Sequence, residues 1–429
     1  MIKNFIKMEN NKLDMVIFGA TGFTGRYVIK EAASLAKEKE FNFGVAGRRK
    51  EALESAVKTY APDIENVPII IADIKNEESL KKMVEKARVL INCCGPFIYY
   101  GEPVIKACIA AKVHYVDVTG ETLFIEDMQL KYNKAAQDAG IYIVNACGFD
   151  SVPADLGVVF TQQNFGGEVN STEIYLNVFN IGKINKPIGN FASFESIIYG
   201  LSNINKIRDI RKKLFVEKLP DLKPKLKFRS WLPHRCAFTN KWSVLFPSGD
   251  HAIINRSQRY FFDKYKQRPI QTSVYVSFES IFYVFLLFFM IINIILLKFS
   301  YGRSLILKYP KLFTLGFITH EEPSEETLNQ LETSFIFLTR GWTEKLSEPS
   351  DVHSDLPNKE MITKVTSCNP YKVTAIVVIL CALTIFKDFD KMPEGGGVFT
   401  TGAAFSKTSL IDELNKKGVK FEVVSSIEK

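Results

Sequence analysis

The chain has few of the features that mark exported, metal-binding or nucleic-acid-binding proteins. Its seven cysteines are an odd number, without the spacing of a disulfide framework or a metal site, so we expect reduced thiols and no metal. The formal net charge is only +8, and the excess is spread out without a basic arm, which argues against a nucleic-acid partner. Residues 1–14 are polar and lack the apolar core of a signal peptide, so export is not expected.

A glycine-rich turn near the start is the most informative stretch. The apolar run Met15–Phe18 precedes three glycines at three-residue spacing, and a helical pattern follows from Arg26. A strand, a glycine turn and a helix in this order form a dinucleotide-binding unit, because glycine permits the tight turn and close approach to a pyrophosphate at a helix N-terminus. An ordinary strand-to-helix loop is the alternative. The residues expected to bind the cofactor here are Gly19, Ala20, Thr21, Gly22, Phe23, Thr24 and Gly25.

The next strand lacks an acid at its end, which bears on the choice of cofactor. The run Phe41–Ala46 leads into Gly47, Arg48 and Arg49. An Asp or Glu here would bind the ribose hydroxyls of NAD, whereas an arginine can pair with the 2′-phosphate of NADP. We therefore predict NADP rather than NAD, with Arg48 as the phosphate-binding residue. A solvated loop arginine is the alternative interpretation.

Strand and helix patterns alternate through the first 150 residues, which predicts a parallel sheet covered on both faces. Asp73 follows the run 67–72, at a position that often lies beside the adenine. The run 89–94 ends at Cys94, Gly95 and Pro96, where the strand order of such a sheet reverses and ligands bind. These four residues complete the predicted cofactor site.

The candidates for a proton donor stand just after strands of this sheet. They are Asp150, after the run 141–144, and Tyr99 or Tyr100, after the fourth strand. Asp150 has an alternative interpretation as the N-cap of the following helix. No nucleophile–base pair or metal-ligand cluster is evident from the spacing.

The second half contains a charge-free run, Ser280–Leu297, of 18 residues. As one helix it would span about 27 Å, close to the hydrocarbon thickness of a bilayer. Basic residues flank both ends, so the orientation signal for a single crossing is absent. An interfacial or re-entrant anchor, or insertion into a lipid-droplet monolayer, fits better, and a buried core helix is the alternative. A second run, 373–386, is shorter and is predicted to be a core helix.

Several motifs together resemble the saccharopine dehydrogenase family. They lie at Gly19–Gly25, Ala46–Arg48, Cys94–Phe97 with Tyr100–Pro103, Gly148–Gly157 and Gly395–Lys407. The resemblance implies an NADP-binding Rossmann domain and a second, largely β domain for substrate binding or dimerisation. Members of this family that form saccharopine reduce an imine, and related trans-acting enoyl reductases reduce lipid-linked double bonds. The resemblance does not supply a substrate.

These observations lead to one expected architecture and two functional hypotheses. We expect an α/β fold with a doubly wound parallel sheet in residues 1–155, and an α+β domain carrying the hydrophobic segment in residues 156–389. Residues 390–429 are expected to pack back on the first domain. The first hypothesis is an NADP-dependent oxidoreductase acting on a C=N, C=O or C=C bond of a hydrophobic or lipid-linked small molecule. The second is a cofactor-binding scaffold without turnover. Either would lie on the cytosolic face of a membrane or lipid droplet, with a homodimer left open.

Overall fold

The computed structural model describes residues 12–179, 186–227, 229, 232–246, 248–293, 296 and 299–428. Strands and helices alternate in its first part. These elements are β1 (Leu13–Phe18), α1 (Phe23–Lys39), β2 (Phe43–Gly47), α2 (Lys50–Tyr60), β3 (Ile69–Ile71), α3 (Glu77–Val84), β4 (Ala87–Asn92), α4 (Phe97–Ala111), β5 (His114–Asp117), α5 (Thr122–Ala139), β6 (Tyr142–Val144) and α6 (Ser151–Asn164).

The second part has longer strands and an inserted group of helices. Its elements up to residue 313 are β7 (Glu168–Phe179), α7 (Phe191–Ser202), α8 (Ile207–Leu214), β8 (His234–Arg235), β9 (Trp242–Leu245), α9 (Asp250–Tyr265), β10 (Gln271–Phe278), α10 (Ile281–Ile292), α11 (Ser300–Lys308) and α12 (Pro310–Phe313). The remaining elements are α13 (Glu325–Asn329), β11 (Glu332–Trp342), β12 (Lys359–Cys368), α14 (Pro370–Lys387), β13 (Gly397–Phe399), α15 (Thr401–Phe405), α16 (Leu410–Lys416) and β14 (Lys420–Glu428).

The first sheet has the strand order β3-β2-β1-β4-β5-β6-β13, and its pairings are parallel. The chain leaves β1 toward β2 on one side and returns to β4 on the other, so the strand order reverses between β1 and β4. Met15, Val16 and Ile17 of β1 are fully buried, as expected for a strand covered on both faces. The predicted doubly wound parallel sheet is confirmed.

The second sheet has the order β14-β12-β11-β7-β10-β9-β8. It is mixed, because β7 pairs antiparallel with β11 but parallel with β10. Ile174 and Phe337 point from this sheet into a core that also contains Val28 and Val89 of the first sheet's layer. One continuous apolar core therefore joins the two sheets. The domain boundaries at residues 155 and 389 stay a prediction.

Helix α14 contains the run 373–386 and lies inside that shared core. Twelve of its residues are buried, and it packs on α1 and on the β4–β5 side of the first sheet. By length and composition it is the one helix among the described residues that could cross a membrane, but 67% of it is buried inside the protein. The prediction of a core helix is confirmed, although the helix is longer than the run itself.

The run 280–297 does not form one helix of spanning length. Helix α10 ends at Ile292 after 12 residues, which is about 18 Å at the usual rise per residue. Ile294, Ile295 and Leu297 lie outside the described residues. One face of α10 packs through Val284 and Leu287 on the second sheet, beside Val244 and Val276. The helix therefore lies against the protein instead of extending away from it. Its 12 residues also correct the expected length of about 27 Å.

The C-terminal residues divide between the two sheets. Strand β13 pairs with β6 at the edge of the first sheet. Strand β14 instead pairs with β12 at the edge of the second sheet, and α16 packs on α14 and β14. Within residues 390–429, β13 thus belongs to the first sheet and β14, the last strand, belongs to the second sheet.

Candidate functional site

The glycine turn after β1 has the geometry that a bound pyrophosphate requires. Gly19 has φ +80°, and a Cβ there would meet the Cys94 Sγ at 2.7 Å. A Cβ on Gly25 would lie 2.3 Å from the carbonyl oxygen of Gly19, so α1 can approach the turn only with glycine at this position. Gly22 is the N-cap of α1 and has no side chain to block the helix N-terminus. The N–H groups of Gly19, Ala20 and Gly22 bond to carbonyl oxygens of the protein, so the N–H groups available to an anion are those of the first turn of α1.

Arg48 follows β2 at the carboxyl edge of the sheet, and its side chain is exposed. No carboxylate among the described residues forms a salt bridge with it, whereas Arg26 on α1 is bound by Glu322. A guanidinium without a protein partner at this position can accept a 2′-phosphate. The glycine turn and Arg48 together fit NADP.

Asp73 follows β3 at the carboxyl edge of the sheet and forms hydrogen bonds within its own turn. Its backbone N–H donates to the Ser79 Oγ at 3.0 Å, and its Oδ1 accepts from the Lys75 N–H at 3.0 Å. The side chain is thus engaged locally. Its predicted contact with the adenine stays a prediction.

The end of β4 places Cys94, Gly95 and Pro96 beside the glycine turn, directly before α4. Asn92 holds this corner, because its Oδ1 accepts from the Cys94 N–H at 3.0 Å. Burial raises the pKa of the Cys94 thiol to about 12, so it is a neutral thiol at physiological pH and cannot act as a thiolate nucleophile. The cofactor-binding role of Cys94, Gly95 and Pro96 stays a prediction.

Two buried acids fix the loops beyond β5. Asp117 accepts from the backbone N–H groups of Ala146 and Thr119 and from Asn145 and Tyr115, and burial raises its pKa to about 6. Glu121 accepts from the N–H groups of Phe97 and Ile98 at 2.7 and 2.8 Å, which caps α4. The buried acids thereby hold the carboxyl ends of β4, β5 and β6 in one arrangement.

A cavity of about 110 Å³ opens at the carboxyl ends of β5 and β6. Three glycines and two acids are among the residues that line it: Gly120, Gly148, Gly249, Asp150 and Asp250. In a sheet of this order the nicotinamide half of a dinucleotide lies over β4 and its neighbours. The cavity therefore lies at the edge of the sheet where the cofactor is expected.

Asp150 lies in this cavity but does not cap the helix that it precedes. It is the N-cap residue of α6 by position, yet its side chain makes no capping hydrogen bond, which corrects the N-cap interpretation. Its backbone has φ +83°, a conformation that is strained for a residue with a side chain. The carboxyl group contacts that of Asp250 instead. Asp250 is the site residue that the sequence analysis missed.

Tyr99 and Tyr100 lie on the first turn of α4, with 52% and 39% of their surface exposed. Neither is among the residues that line the cavity at β5 and β6. The Tyr99 ring instead contacts the Tyr199 ring of α7 edge to face, at 5.1 Å between centroids. Their predicted catalytic role stays untested, and their observed contact is with the helix that covers this end of the sheet.

Helix α7 lies over the carboxyl end of β4, where the strand order of the first sheet reverses. We call this region the crevice. Ser196 lies beside the Glu121 carboxylate and partly offsets the rise in its pKa that burial causes, and the Ser196 hydroxyl oxygen is 3.2 Å from the position of a Cβ built on Gly95. On its other side, Phe194 and Ile198 pack with Ile306 of α11. The inserted helices α7, α11 and α12 therefore form one unit that reaches from the cofactor crevice to the surface.

Comparison with known proteins agrees with this geometry. The model of the saccharopine dehydrogenase NADP binding domain matches residues 15–144. The human saccharopine dehydrogenase-like oxidoreductase is 36% identical over 98% of this chain and 99% of its own length. The lipid droplet localized protein of Caenorhabditis elegans is 33% identical over 97% of this chain and its whole length.

A solved structure shows the same overall fold. The saccharopine dehydrogenase (L-Glu forming) of Saccharomyces cerevisiae aligns with 96% of this chain and 100% of its own, with a TM-score of 0.54 and 16% identity. That likeness concerns the fold alone, whereas the two relatives above are similar along nearly the whole sequence. The matched nucleotide domain and the near full-length similarity together show that the chain belongs to the saccharopine dehydrogenase-like oxidoreductases, an NADP-using family.

Proposed function

We propose that the protein is an NADP-dependent reductase for a hydrophobic or lipid-linked substrate, working at the cytosolic surface of a membrane or lipid droplet. The bond reduced would be C=N, C=O or C=C. The observation that carries this proposal is the cavity at the carboxyl ends of β5 and β6, which is lined by the acids Asp150 and Asp250. A protein that only bound the cofactor would not need such a cavity.

Asp150 is the residue assigned as proton donor. Its Oδ1 is buried and forms no hydrogen bond with any described group. Burial raises the pKa of Asp150 well above its usual value, and the adjacent Asp250 raises it further. A carboxyl group that stays protonated at neutral pH is suited to donate a proton as hydride arrives.

The exposed surface of the inserted helices supports a lipid-surface location. On α10, Phe282, Phe285 and Phe289 expose 60%, 60% and 46% of their surface, and their spacing places them on one side of the helix. Residues 280–320 contain no Asp or Glu and four basic residues. Exposed aromatics with basic neighbours suit an anionic lipid surface, with the helix lying in the interface.

The same group of helices connects that surface to the crevice. Helix α7 contacts Gly95 through Ser196 and packs on α11 through Ile198. Phe299, Tyr301 and Leu312, on or beside α11 and α12, are exposed. A substrate with an apolar chain could thus enter beside α7 with its chain toward the lipid. The C. elegans relative is named for lipid droplets, which agrees with this location.

The test is a comparison of metabolites and lipids in null and wild-type cells, followed by NADPH-oxidation assays on the compounds that accumulate. The function predicts that one such compound supports NADPH oxidation by the purified protein. It also predicts that Asp150→Asn lowers kcat about 100-fold or more while leaving NADPH binding within about threefold. Tight NADPH binding with no turnover of any accumulating compound would instead favour the scaffold hypothesis.

A further inference from the structure

Two carboxyl groups that are distant in sequence meet at the cavity. Asp150 directly precedes α6, and Asp250 is the first residue of α9. Asp250 is 1% exposed. Asp150 is partly exposed as a residue, but its Oδ1 is buried. Both residues line the same cavity, and the hydroxyl of Ser151, the residue next to Asp150, bonds the Asp250 Oδ1 at 3.3 Å, so the two carboxyl groups lie close together.

We infer that Asp150 and Asp250 share one proton and act together as the proton donor of the reduction. This rests on the proposed function and adds Asp250 to it. Two carboxylates in contact cannot both be ionised at small cost in a buried site, so the pair retains a proton. Among the described residues that line the cavity there is no Lys or Arg to offset a second negative charge.

The hydrogen bonds around the pair assign the proton to Asp150. The Ser248 Oγ bonds the Asp250 Oδ2 at 3.0 Å, and the Ser151 Oγ bonds its Oδ1 at 3.3 Å. Both bonds favour the ionised form of Asp250. Asp150 receives no such support, and its Oδ1 has no partner among the described groups. Asp250 is therefore the carboxylate, and Asp150 is the carboxylic acid facing the cavity.

Several titratable groups of the neighbouring elements have partners of their own. His251 bonds the Thr272 carbonyl oxygen, and burial lowers its pKa, so it is neutral near pH 7. Asp155 accepts from Ser257 and Thr401. Asp117 and Glu121 hold backbone N–H groups, Arg256 bonds Gln129, and Glu126 bonds Arg211. The other charged groups on α9 and α5 lie further along these helices, at Arg259, Asp263, Lys264, Asp127, Lys131, Lys134 and Asp138. Among the described residues, Asp250 is the charged group that raises the pKa of Asp150.

The backbone explains why the pair can form. The strained φ of +83° at Asp150 turns its side chain away from the capping position of α6. On the other side, a Cβ on Gly249 would lie 3.0 Å from the Thr122 Oγ1 and 3.3 Å from the Gly120 carbonyl oxygen. Glycine at 249 thus lets α9 begin close to the β5 loop. The positive φ at Asp150 and the glycine at position 249 each bring one acid to the cavity.

The proton transfer balances with the hydride step. NADPH, when bound, supplies a hydride to one carbon of the acceptor bond. The Asp150 O–H bond breaks, its proton passes to the other atom of the acceptor bond, and both electrons stay on the Asp150 carboxylate. The pair is then fully ionised, and a proton from water restores it. One hydride and one proton are consumed for each product molecule.

Infrared difference spectroscopy of the full-length protein in D₂O, titrated with and without NADPH, tests the shared proton. The unmodified protein should show a protonated carboxyl band at pH 7 that is missing in Asp150→Asn. In Asp250→Asn the remaining carboxyl loses a like-charged neighbour, so its titration midpoint should fall by about one pH unit or more. Ser248→Ala, which keeps both acids, should raise the midpoint. Asp209→Asn, an exposed acid on α8, is the charge-matched control.

The outcomes separate this inference from the proposed function. Absence of the band at pH 7, or an unchanged midpoint in Asp250→Asn, would overturn the shared proton. NADPH fluorescence in the same samples reports cofactor binding independently. If the unmodified protein does not bind NADPH, the proposed function fails whatever the infrared result. Thermal unfolding checks that each variant is folded, and Ser248→Ala provides a readout should Asp250→Asn be unstable.

Discussion

Replacing Arg48 by alanine should weaken the binding of NADP(H) selectively. Arg48 is exposed at the end of β2, and no carboxylate among the described residues pairs with it, so the variant leaves no buried charge behind. Hydrogen bonds from a charged group contribute about 1.5–3 kcal/mol. Because solvent screens an exposed arginine, we expect the lower end, about 1.5 kcal/mol, which is roughly a tenfold rise in Kd.

The assay is a fluorescence or calorimetric titration of the unmodified protein and the variant with NADPH and with NADH. The Kd for NADPH should rise about tenfold, and the Kd for NADH should stay within about twofold, since NADH lacks the 2′-phosphate. The difference should shrink as salt is added. Arg340→Ala removes an exposed arginine of β11 that pairs with Glu360 and serves as the control.

Two results would refute this reasoning. If the unmodified protein binds NADH as tightly as NADPH, the missing acid at the end of β2 does not set the cofactor preference. If Arg48→Ala weakens both cofactors equally, the arginine acts on a group that both share and does not recognise the 2′-phosphate. Either outcome would show that Arg48 does not recognise the 2′-phosphate.

Three further changes test other parts of the structure. Gly22→Val should abolish cofactor binding and leave thermal unfolding nearly unchanged, because a Cβ there meets only the Gly19 carbonyl oxygen, at 3.3 Å, and retained binding would contradict the assigned turn. Phe285→Ser with Phe289→Ser should reduce flotation with anionic phospholipid vesicles, while Leu356→Ser, at an exposed position on a different loop, should not; equal loss in both would argue against an α10 contact. Leu383→Ala should lower the free energy of unfolding by about 2–5 kcal/mol in a denaturant titration, and a negligible loss would show that α14 is not a core helix.

The cofactor half of the protein could be predicted from sequence because its signals are local. A strand, a glycine turn and a helix follow one another within Met15–Lys39, and each later strand of the first sheet is a short apolar run before its own loop. The parallel order then places the carboxyl ends of those strands at one edge. The residue types at these ends therefore indicated the cofactor before any contact was known.

The length and packing of α10 depended on tertiary contacts. A run of 18 charge-free residues favours a long apolar helix in a protein core and in lipid alike. Composition therefore does not determine the residue at which the helix ends. In the structure α10 stops at Ile292 and packs Val284 on the second sheet while Phe285 stays exposed. Whether a given side chain packs or is exposed depends on which neighbour covers it, and that neighbour comes from strands far away in the sequence.

The acid pair depended most on the fold. Asp150 was identifiable because it follows a strand of the first sheet, but Asp250 lies 100 residues later, at the start of a helix that nothing in the local pattern connects with that strand. Packing of α9 on α6 brings the two carboxyl groups together. Short-range sequence patterns determine the turns and strands that hold a cofactor. The proximity of the two acids requires contacts between helices that are far apart in the sequence. Burial raises the pKa values of the two acids only when these helices pack together, and the acids then hold a proton in common.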